Sequence, residues 1–467
     1  MNILRMTSKH HCNFCREQMV RFCFISEECN SDGRREGVRV PIILVKVARR
    51  DVRYQIWDVK CLKDGQRTFL KNLDSKGAIT INRDDKGRTE VMVNGSRVMQ
   101  VKNLLRSREI EYEVLTNDIF STQYAMGMLP KRVRSPDPKR NRIQLPIGNS
   151  RVLDWTDFYP LPTIYNFLDE LEKTFPSTCT VSIIGKTVEG LDIKLLKISN
   201  SNANNTGVWL DAATHAREWI GTSVVTFIAN YIARKFSTLP EYITNKDWYF
   251  LPVVNPDGFQ YSHLHDRMWR KNRACYGRTV TGVDLNRNFG YCWENTGAES
   301  AAIDPYSINY RGPSAFSEPE TTAIKDIILY SGTPFKVFLT YHACSEVIAF
   351  PWCNTSDPCP DYVNLLEGGT TMAKAMYETN GRMYKVGNFK DIMYHACGTS
   401  IDWSYGTAHI PFSYLVELRS KQDRFLLPKG EILDCCKEAL NGVIALMEFV
   451  DRKKCLNCTI ITKALRQ

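Results

Sequence analysis

From Trp155 to Val450 strand-like and helix-like stretches alternate, and no other feature restricts the fold so strongly. Ile164, Phe167, Leu168 and Leu171 share one helical face, after which Thr180-Val181-Ser182-Ile183-Ile184 and Ile193-Lys194-Leu195-Leu196-Lys197-Ile198 read as strands. Trp219 to Phe236 has a helical period, and Trp248 to Val254 is a strand. Ser317-Glu318-Pro319-Glu320 reads as a capping box opening a helix through Ile327 and Ile328. Glu431 to Val450 closes the pattern as a long amphipathic helix. Strands joined through helices cross over to pair in parallel, and each crossover lays a helix on a face of the sheet. The expected fold is an α/β domain with a mixed sheet covered on both faces.

The stretch Thr214-His215-Ala216-Arg217-Glu218-Trp219 falls at one of these strand-to-helix junctions, behind the apolar run Gly207-Val208-Trp209-Leu210. A neutral imidazole and a carboxylate three residues apart can converge on one metal from a tight turn, which is half of a His2Glu zinc site of the catalytic kind. Alone, the pair is more often a surface ion pair with Arg217. A third ligand has to come from elsewhere. The apolar run Phe335 to Tyr341 ends in His342, where a buried strand releases a side chain at its carboxyl edge; a strand-end histidine is equally readable as a satisfied core residue.

The blocks around these residues decide the matter. They are Val254-Asn255-Pro256-Asp257-Gly258-Phe259, Met268-Trp269-Arg270-Lys271-Asn272-Arg273, Gly282-Val283-Asp284-Leu285-Asn286-Arg287-Asn288-Phe289, Ser317-Glu318-Pro319-Glu320, Ser400-Ile401-Asp402-Trp403-Ser404-Tyr405-Gly406 and Leu415-Val416-Glu417-Leu418-Arg419. In content and order they resemble metallocarboxypeptidases of the pancreatic carboxypeptidase A and B type, over a stretch long enough for a full domain. The resemblance implies an exopeptidase that removes single residues from peptide and protein C-termini, with one zinc ion held by His215, Glu218 and His342. It makes Glu417 the general base and acid, Arg273 the stabiliser of the tetrahedral oxyanion, and Asp284 the acid that orients His215. Asn286 and Arg287 match the clamp for the terminal carboxylate, with Tyr394 closing over it, and Arg217 matches a substrate-binding arginine.

At the floor of the terminal side-chain pocket, enzymes of this kind that select Lys or Arg carry an acid, and the matching residue here is Ile401. An aliphatic floor gives a buried cation no partner. Leu415 stands where pancreatic carboxypeptidase A has a smaller polar residue and narrows the pocket further. The expected specificity is A-like: hydrophobic C-terminal residues, aliphatic ones ahead of the largest aromatics. Two departures bear on preference beyond the terminal residue: Ala343-Cys344 follows His342 where Ser-Tyr is usual, and Cys353 replaces a pocket-lining glycine. A catalytically silent homologue would have lost Glu417 or a metal ligand, and neither is lost.

The N-terminal third reads differently. Residues 1–151 hold 30 Lys+Arg against 17 Asp+Glu, so the net charge of +10 lies there and the α/β domain is nearly neutral. With no clustered basic face or motif, no nucleic-acid partner is expected. No apolar run is long enough for a membrane span. Residues 1–38 mix His10, His11, Cys12 and Cys15 with charges; a zinc knuckle would need a second spaced pair, so a leader without fixed structure is expected. Over residues 50–122, Val52 to Trp57, Thr89 to Val93 and Tyr112 to Leu115 read as strands, and Ser96 caps a helix carrying Val98, Val101, Leu104 and Leu105. This unit resembles the α+β pro-domain (ferredoxin-like, antiparallel sheet) of secreted procarboxypeptidases, with Glu111-Tyr112-Glu113-Val114 as its closing strand. Residues 123–151 are Pro-rich and basic, an exposed linker open to a trypsin-like protease. The α/β domain then takes 152–453 and a short tail 454–467. Sixteen cysteines and sequons at Asn94, Asn204, Asn354 and Asn457 favour a secreted chain, although no clear signal peptide directs it; an intracellular enzyme acting on protein tails is the alternative. Cys353 with Cys359, Cys275 with Cys292 and Cys455 with Cys458 could close short loops. A monomeric zymogen is the expectation.

Overall fold

The computed structural model describes residues 54–60, 63–85, 88–116, 153–276, 281–295 and 300–464, with short strands before residue 49. The chain forms two compact units, Met1–Val52 and Arg53–Gln467. In the first, Lys9–His11, Glu17–Phe22 and Ile43–Ala48 make one antiparallel sheet, and Glu27–Cys29 pairs with Arg35–Gly37. Strands of three residues are too short to carry a readable period. The basic stretch 123–151 and the side chains of the Cys12-x-x-Cys15 segment lie outside the described residues.

The second unit begins with a four-stranded antiparallel sheet, ordered Ile79–Asp85, Arg88–Asn94, Tyr54–Lys60, Tyr112–Thr116, with helices Asp64–Ser75 and Val98–Arg106. Trp57, Val59, Leu70, Val91, Val93, Val101 and Leu105 form its core. Helix Asp64–Ser75 and strand Ile79–Asp85 go beyond the sequence reading. The strand pairs on one side only and ends in Arg83-Asp84-Asp85, so it lacks the apolar alternation of a covered strand.

The α/β domain is built on eight strands in the order Cys179–Lys186, Asp192–Ile198, Lys246–Leu251, Thr206–Ala212, Phe335–Ala343, Phe412–Leu418, Val347–Phe350, Lys385–Asn388. The four central strands, from Lys246–Leu251 to Phe412–Leu418, run parallel, and antiparallel pairs flank them. Side chains alternate across these strands. Val208, Leu210, Val337 and Leu339 pack under helices Trp219–Lys235, Tyr362–Asn380 and Ile432–Ala464. Trp209, Tyr249 and Phe338 stack on the opposite face, under Phe289, Ile324 and Trp403. Both faces are therefore buried, as the near-continuous apolar runs require.

Two expectations need correction. Helix Pro319–Tyr330 has Glu318 as its N-cap with no side-chain cap bond; Ser317 Oγ donates instead to Glu318 at 2.7 Å, and Glu320 is buried, accepting from Asn272 Nδ2 at 3.3 Å. With Glu318 as N-cap and Pro319 as the first helical residue, the helix starts one residue later than a box on Ser317 and Glu320 requires. Cys353 and Cys359 are buried free thiols and Cys292 is also unbridged, so the suggested Cys353–Cys359 and Cys275–Cys292 loops are not closed. No helix among the described residues is long and apolar enough to cross a membrane.

Candidate active site

Three strand ends supply the site. Thr206–Ala212 releases its chain through Ala213, whose φ of 53° turns it sharply toward His215. Glu218 is the N-cap of helix Trp219–Lys235 yet caps nothing with its side chain. The helix sits close against the sheet at Gly221, where a Cβ would lie 3.2 Å from the Tyr341 carbonyl oxygen. This brings the His215 and Glu218 side chains beside the end of Phe335–Ala343, where His342 emerges.

His215 Nδ1 lies 2.8 Å from Glu218 Oε1, His342 Nδ1 2.9 Å from Glu218 Oε2, and the two Nδ1 atoms 3.1 Å apart. All three residues are buried, and their donor atoms fall within 4.8 Å of one another. Burial alone would raise the pKa of Glu218, but the two imidazoles hold it far below the usual carboxylate range. An anionic carboxylate and two imidazoles presenting the same nitrogen to one point fit a divalent transition metal.

The outer nitrogens are anchored as well. His215 Nε2 meets Asp284 Oδ1 at 3.1 Å, and His342 Nε2 meets Thr340 Oγ1 at 3.2 Å. Thr340 Oγ1 donates in turn to Asp211 Oδ1 at 2.6 Å, whose Oδ2 accepts Trp209 Nε1 at 2.7 Å. A proton on each Nε2 leaves Nδ1 free to bind. Thr340 and Asp211 escaped the sequence reading; a threonine two residues before the histidine points to the same side of the strand, the only signal that could have found it.

Glu417 ends the neighbouring strand in direct register with His342. Its Oε2 accepts the Ser345 amide at 3.3 Å, and burial, then the Glu218 charge, push its pKa up to about 7. Asn286 Oδ1 accepts the Ser400 amide at 2.9 Å, and Arg287 donates to Tyr394 Oη at 3.4 Å. Ile401, Leu415 and Cys353 share one buried cluster. Arg273 is not with them. Its guanidinium lies over Tyr261, 3.6 Å from the ring centroid, and its Nε faces the exposed Glu189 at 3.5 Å. Arg270 points inward instead, with Nη2 2.8 Å from Asp284 Oδ2 and Nη1 3.9 Å from Glu218 Oε1. Tyr261 and Trp269 hold Arg273 outside, a contact that the order of residues in Trp269-Arg270-Lys271-Asn272-Arg273 does not reveal.

The family model described as zinc carboxypeptidase matches residues 164–442, more than half of the chain. The chain belongs to the zinc carboxypeptidase family. It is a metallocarboxypeptidase, a hydrolase acting on peptide C-termini. It is 35% identical to carboxypeptidase B of Astacus astacus over 301 residues, 64% of this chain and 98% of that protein. It is 31% identical to carboxypeptidase A1 of Mus musculus over 368 residues, 77% of this chain and 83% of the relative. The crystal structure of carboxypeptidase A from Helicoverpa armigera superposes with a TM-score of 0.70 at 26% identity, covering 86% of this chain and 98% of that one.

In this carboxypeptidase the α+β unit lies against the entrance of the site. Tyr54 Oη donates to Asp266, and a Cβ on Gly77 would meet Ile308 Cγ2 at 2.6 Å, so the turn after helix Asp64–Ser75 fits there only as glycine. A cavity of about 230 Å³ between the two is lined by Tyr54, Ala78, Ile79, Arg217, Met268 and Arg270.

The Thr340 contact carries a prediction. Thr340→Val is expected to weaken zinc binding by about 10- to 100-fold in chelator competition, with Thr340→Ser restoring it. An unchanged metal dissociation constant in Thr340→Val would show that the hydroxyl does not orient His342.

Proposed function

We propose that this zymogen-type zinc carboxypeptidase removes one hydrophobic residue at a time from peptide C-termini. The observation that carries the reading is the meeting of His215, Glu218 and His342 with Glu417 in register beside His342. His215, Glu218 and His342 would hold the zinc, which when bound would supply Lewis-acid chemistry to the scissile carbonyl and to a water. Glu417 takes the proton from the attacking water and returns it to the leaving amine. Arg270 donates to the carbonyl oxygen as charge develops on it, held in aim by Asp284. Burial opposes ionisation of Asp284, but Arg270, His215 and Arg287 keep it anionic, far below the usual range. Arg287 and Asn286 take the terminal carboxylate, and Tyr394, 46% exposed, closes over it.

A-like specificity rests on the buried Ile401, Leu415 and Cys353. Asp402, the acid next to Ile401, is turned away to accept the Cys353 amide at 2.9 Å, and burial raises its pKa to about 7. It offers a cationic side chain no free carboxylate. With a panel of blocked dipeptides, C-terminal Leu and Phe are expected to be cleaved at least about 100-fold faster than C-terminal Arg, the cost of burying an unpaired guanidinium. Faster cleavage of Arg would refute the assignment.

The α+β unit over the site entrance supports the zymogen reading, with the basic stretch 123–151 as the cleavable link. Limited trypsin digestion is expected to cut between Lys131 and Arg142 and to raise activity on the Leu substrate. A full-length chain already as active as the digest would end this reading. Family membership and the sequons support a secreted enzyme.

A further inference from the structure

Three of the four sequons have asparagines whose side chains are described, and the fold treats them differently; the side chain of Asn457 lies outside the described residues. Asn94 is partly buried on the cavity between the α+β unit and the α/β domain. Its Oδ1 accepts the Ser96 amide at 2.9 Å and the Ser96 hydroxyl at 2.7 Å. A sugar on its Nδ2 would wedge the two apart. Asn354 is partly buried too, with Nδ2 donating to Cys292 Sγ at 3.3 Å and Oδ1 enclosed without a hydrogen-bond partner. It follows Cys353, which shares a buried cluster with Ile401 and Leu415, so a sugar there would disturb the wall of the terminal side-chain pocket.

Asn204 stands apart. It is exposed at the tip of the turn that leads into strand Thr206–Ala212. Its neighbours are used up in building that turn: Asn200 Oδ1 accepts the Asn202 amide at 3.1 Å, and Asn202 Oδ1 accepts the Asn204 amide at 2.9 Å. Asn200 Nδ2 donates to Asn245 Oδ1 at 2.9 Å, and the buried Asn205 donates through Nδ2 to Asp247 Oδ1 at 2.8 Å. Of the four asparagines in the turn, Asn204 alone has a side chain with no hydrogen-bond partner among the described residues. Beside it, a cleft of about 430 Å³ is lined by Lys197, Ser199, Ser201, Asn205, Asp247 and Thr333. Asn205 Oδ1 is buried at its wall with no hydrogen-bond partner. Such polar ground suits sugar hydroxyls, which both donate and accept.

We propose that Asn204 carries an N-linked glycan and that Asn94 and Asn354 do not. The proposal rests on the secreted reading above, since the transfer takes place on a chain entering a secretory compartment. The donor is an oligosaccharide on a polyprenyl diphosphate. Its anomeric carbon exchanges the bond to the diphosphate oxygen for one to Asn204 Nδ2, which gives up a proton, and the polyprenyl diphosphate departs. Thr206, the third residue of the sequon, is 8% exposed, so the transfer precedes closure of its strand. The folded chain then has to accommodate the product, and only the Asn204 turn does so without losing a contact. Strand Thr206–Ala212 separates that turn from the triad by about 23 Å, the length of seven extended residues, so the glycan leaves the entrance of the site clear.

The test expresses the full chain in secreting insect cells and compares protein from the medium before and after peptide N-glycosidase in heavy-oxygen water, which turns each glycosylated asparagine into a labelled aspartate. A loss of mass is expected, with the label at position 204 and none at 94 or 354. Asn204→Gln and Thr206→Ala should each abolish that label, and Thr206→Ser should retain it, as the sequon requires. After trypsin treatment, Asn204→Gln should keep kcat/KM on the Leu substrate within about twofold, as a surface change far from the site. Unmodified Asn204 in chain recovered from the medium overturns the proposal and leaves the secreted reading standing, and so does a glycan at Asn94 or Asn354 in active enzyme. Chain confined to the cytosol overturns both.

Discussion

Glu417→Gln is expected to lower kcat by about 10³- to 10⁴-fold, the loss that follows removal of a positioned general base. Zinc content should stay at one ion per chain, because His215, Glu218 and His342 do not include Glu417. The amide keeps the shape of the side chain and its acceptance of the Ser345 amide, so the loss isolates the proton transfer. The pH profile gives a second readout. The base works when unprotonated, so kcat/KM in the parent enzyme falls as pH drops through the pKa of Glu417. Burial and the neighbouring Glu218 charge set that value near 7. A bound zinc would offset the Glu218 charge and move the acid limb to lower pH, and the limb should vanish in Glu417→Gln. Near-parental turnover in the variant would remove Glu417 from the chemistry.

The second large effect separates two arginines three residues apart. Arg270→Ala is expected to cost about 10²- to 10³-fold in kcat with little change in KM, as for loss of one oxyanion donor. Arg273→Ala should leave kcat within about twofold, since its guanidinium is held over Tyr261 on the far side of the segment and meets only the exposed Glu189. A large kcat loss in Arg273→Ala with a mild one in Arg270→Ala would reverse the roles argued from geometry. Since Arg270 also braces Asp284 and through it His215, zinc content of Arg270→Ala has to be measured alongside the rate.

The pair also shows where reading residues in order stops. Trp269-Arg270-Lys271-Asn272-Arg273 offers two arginines, and local pattern gives no reason to choose between them. The choice is made by Tyr261, Trp269 and Asp284, which take one guanidinium outward and the other inward. Thr340 and Asp211 were passed over for a related reason. Each is an ordinary polar residue in an apolar strand, and only the parallel pairing that sets Asp211 beside Thr340 makes them a chain of hydrogen bonds ending on His342. Helix Asp64–Ser75 was missed because its buried Leu70 and Leu73 are too few to give a clear period.

The sequence alone was sufficient for the layered α/β architecture, because strand and helix periods are local and must be buried to be stable. It also placed His215, Glu218, His342 and Glu417 at strand ends, since a side chain at the carboxyl edge of a parallel sheet has only the crevice to face. Which nitrogen each imidazole presents and which arginine reaches the triad were decided in three dimensions. Those are relations between side chains 14 to 127 residues apart, fixed by the register of four parallel strands, and no local pattern encodes them.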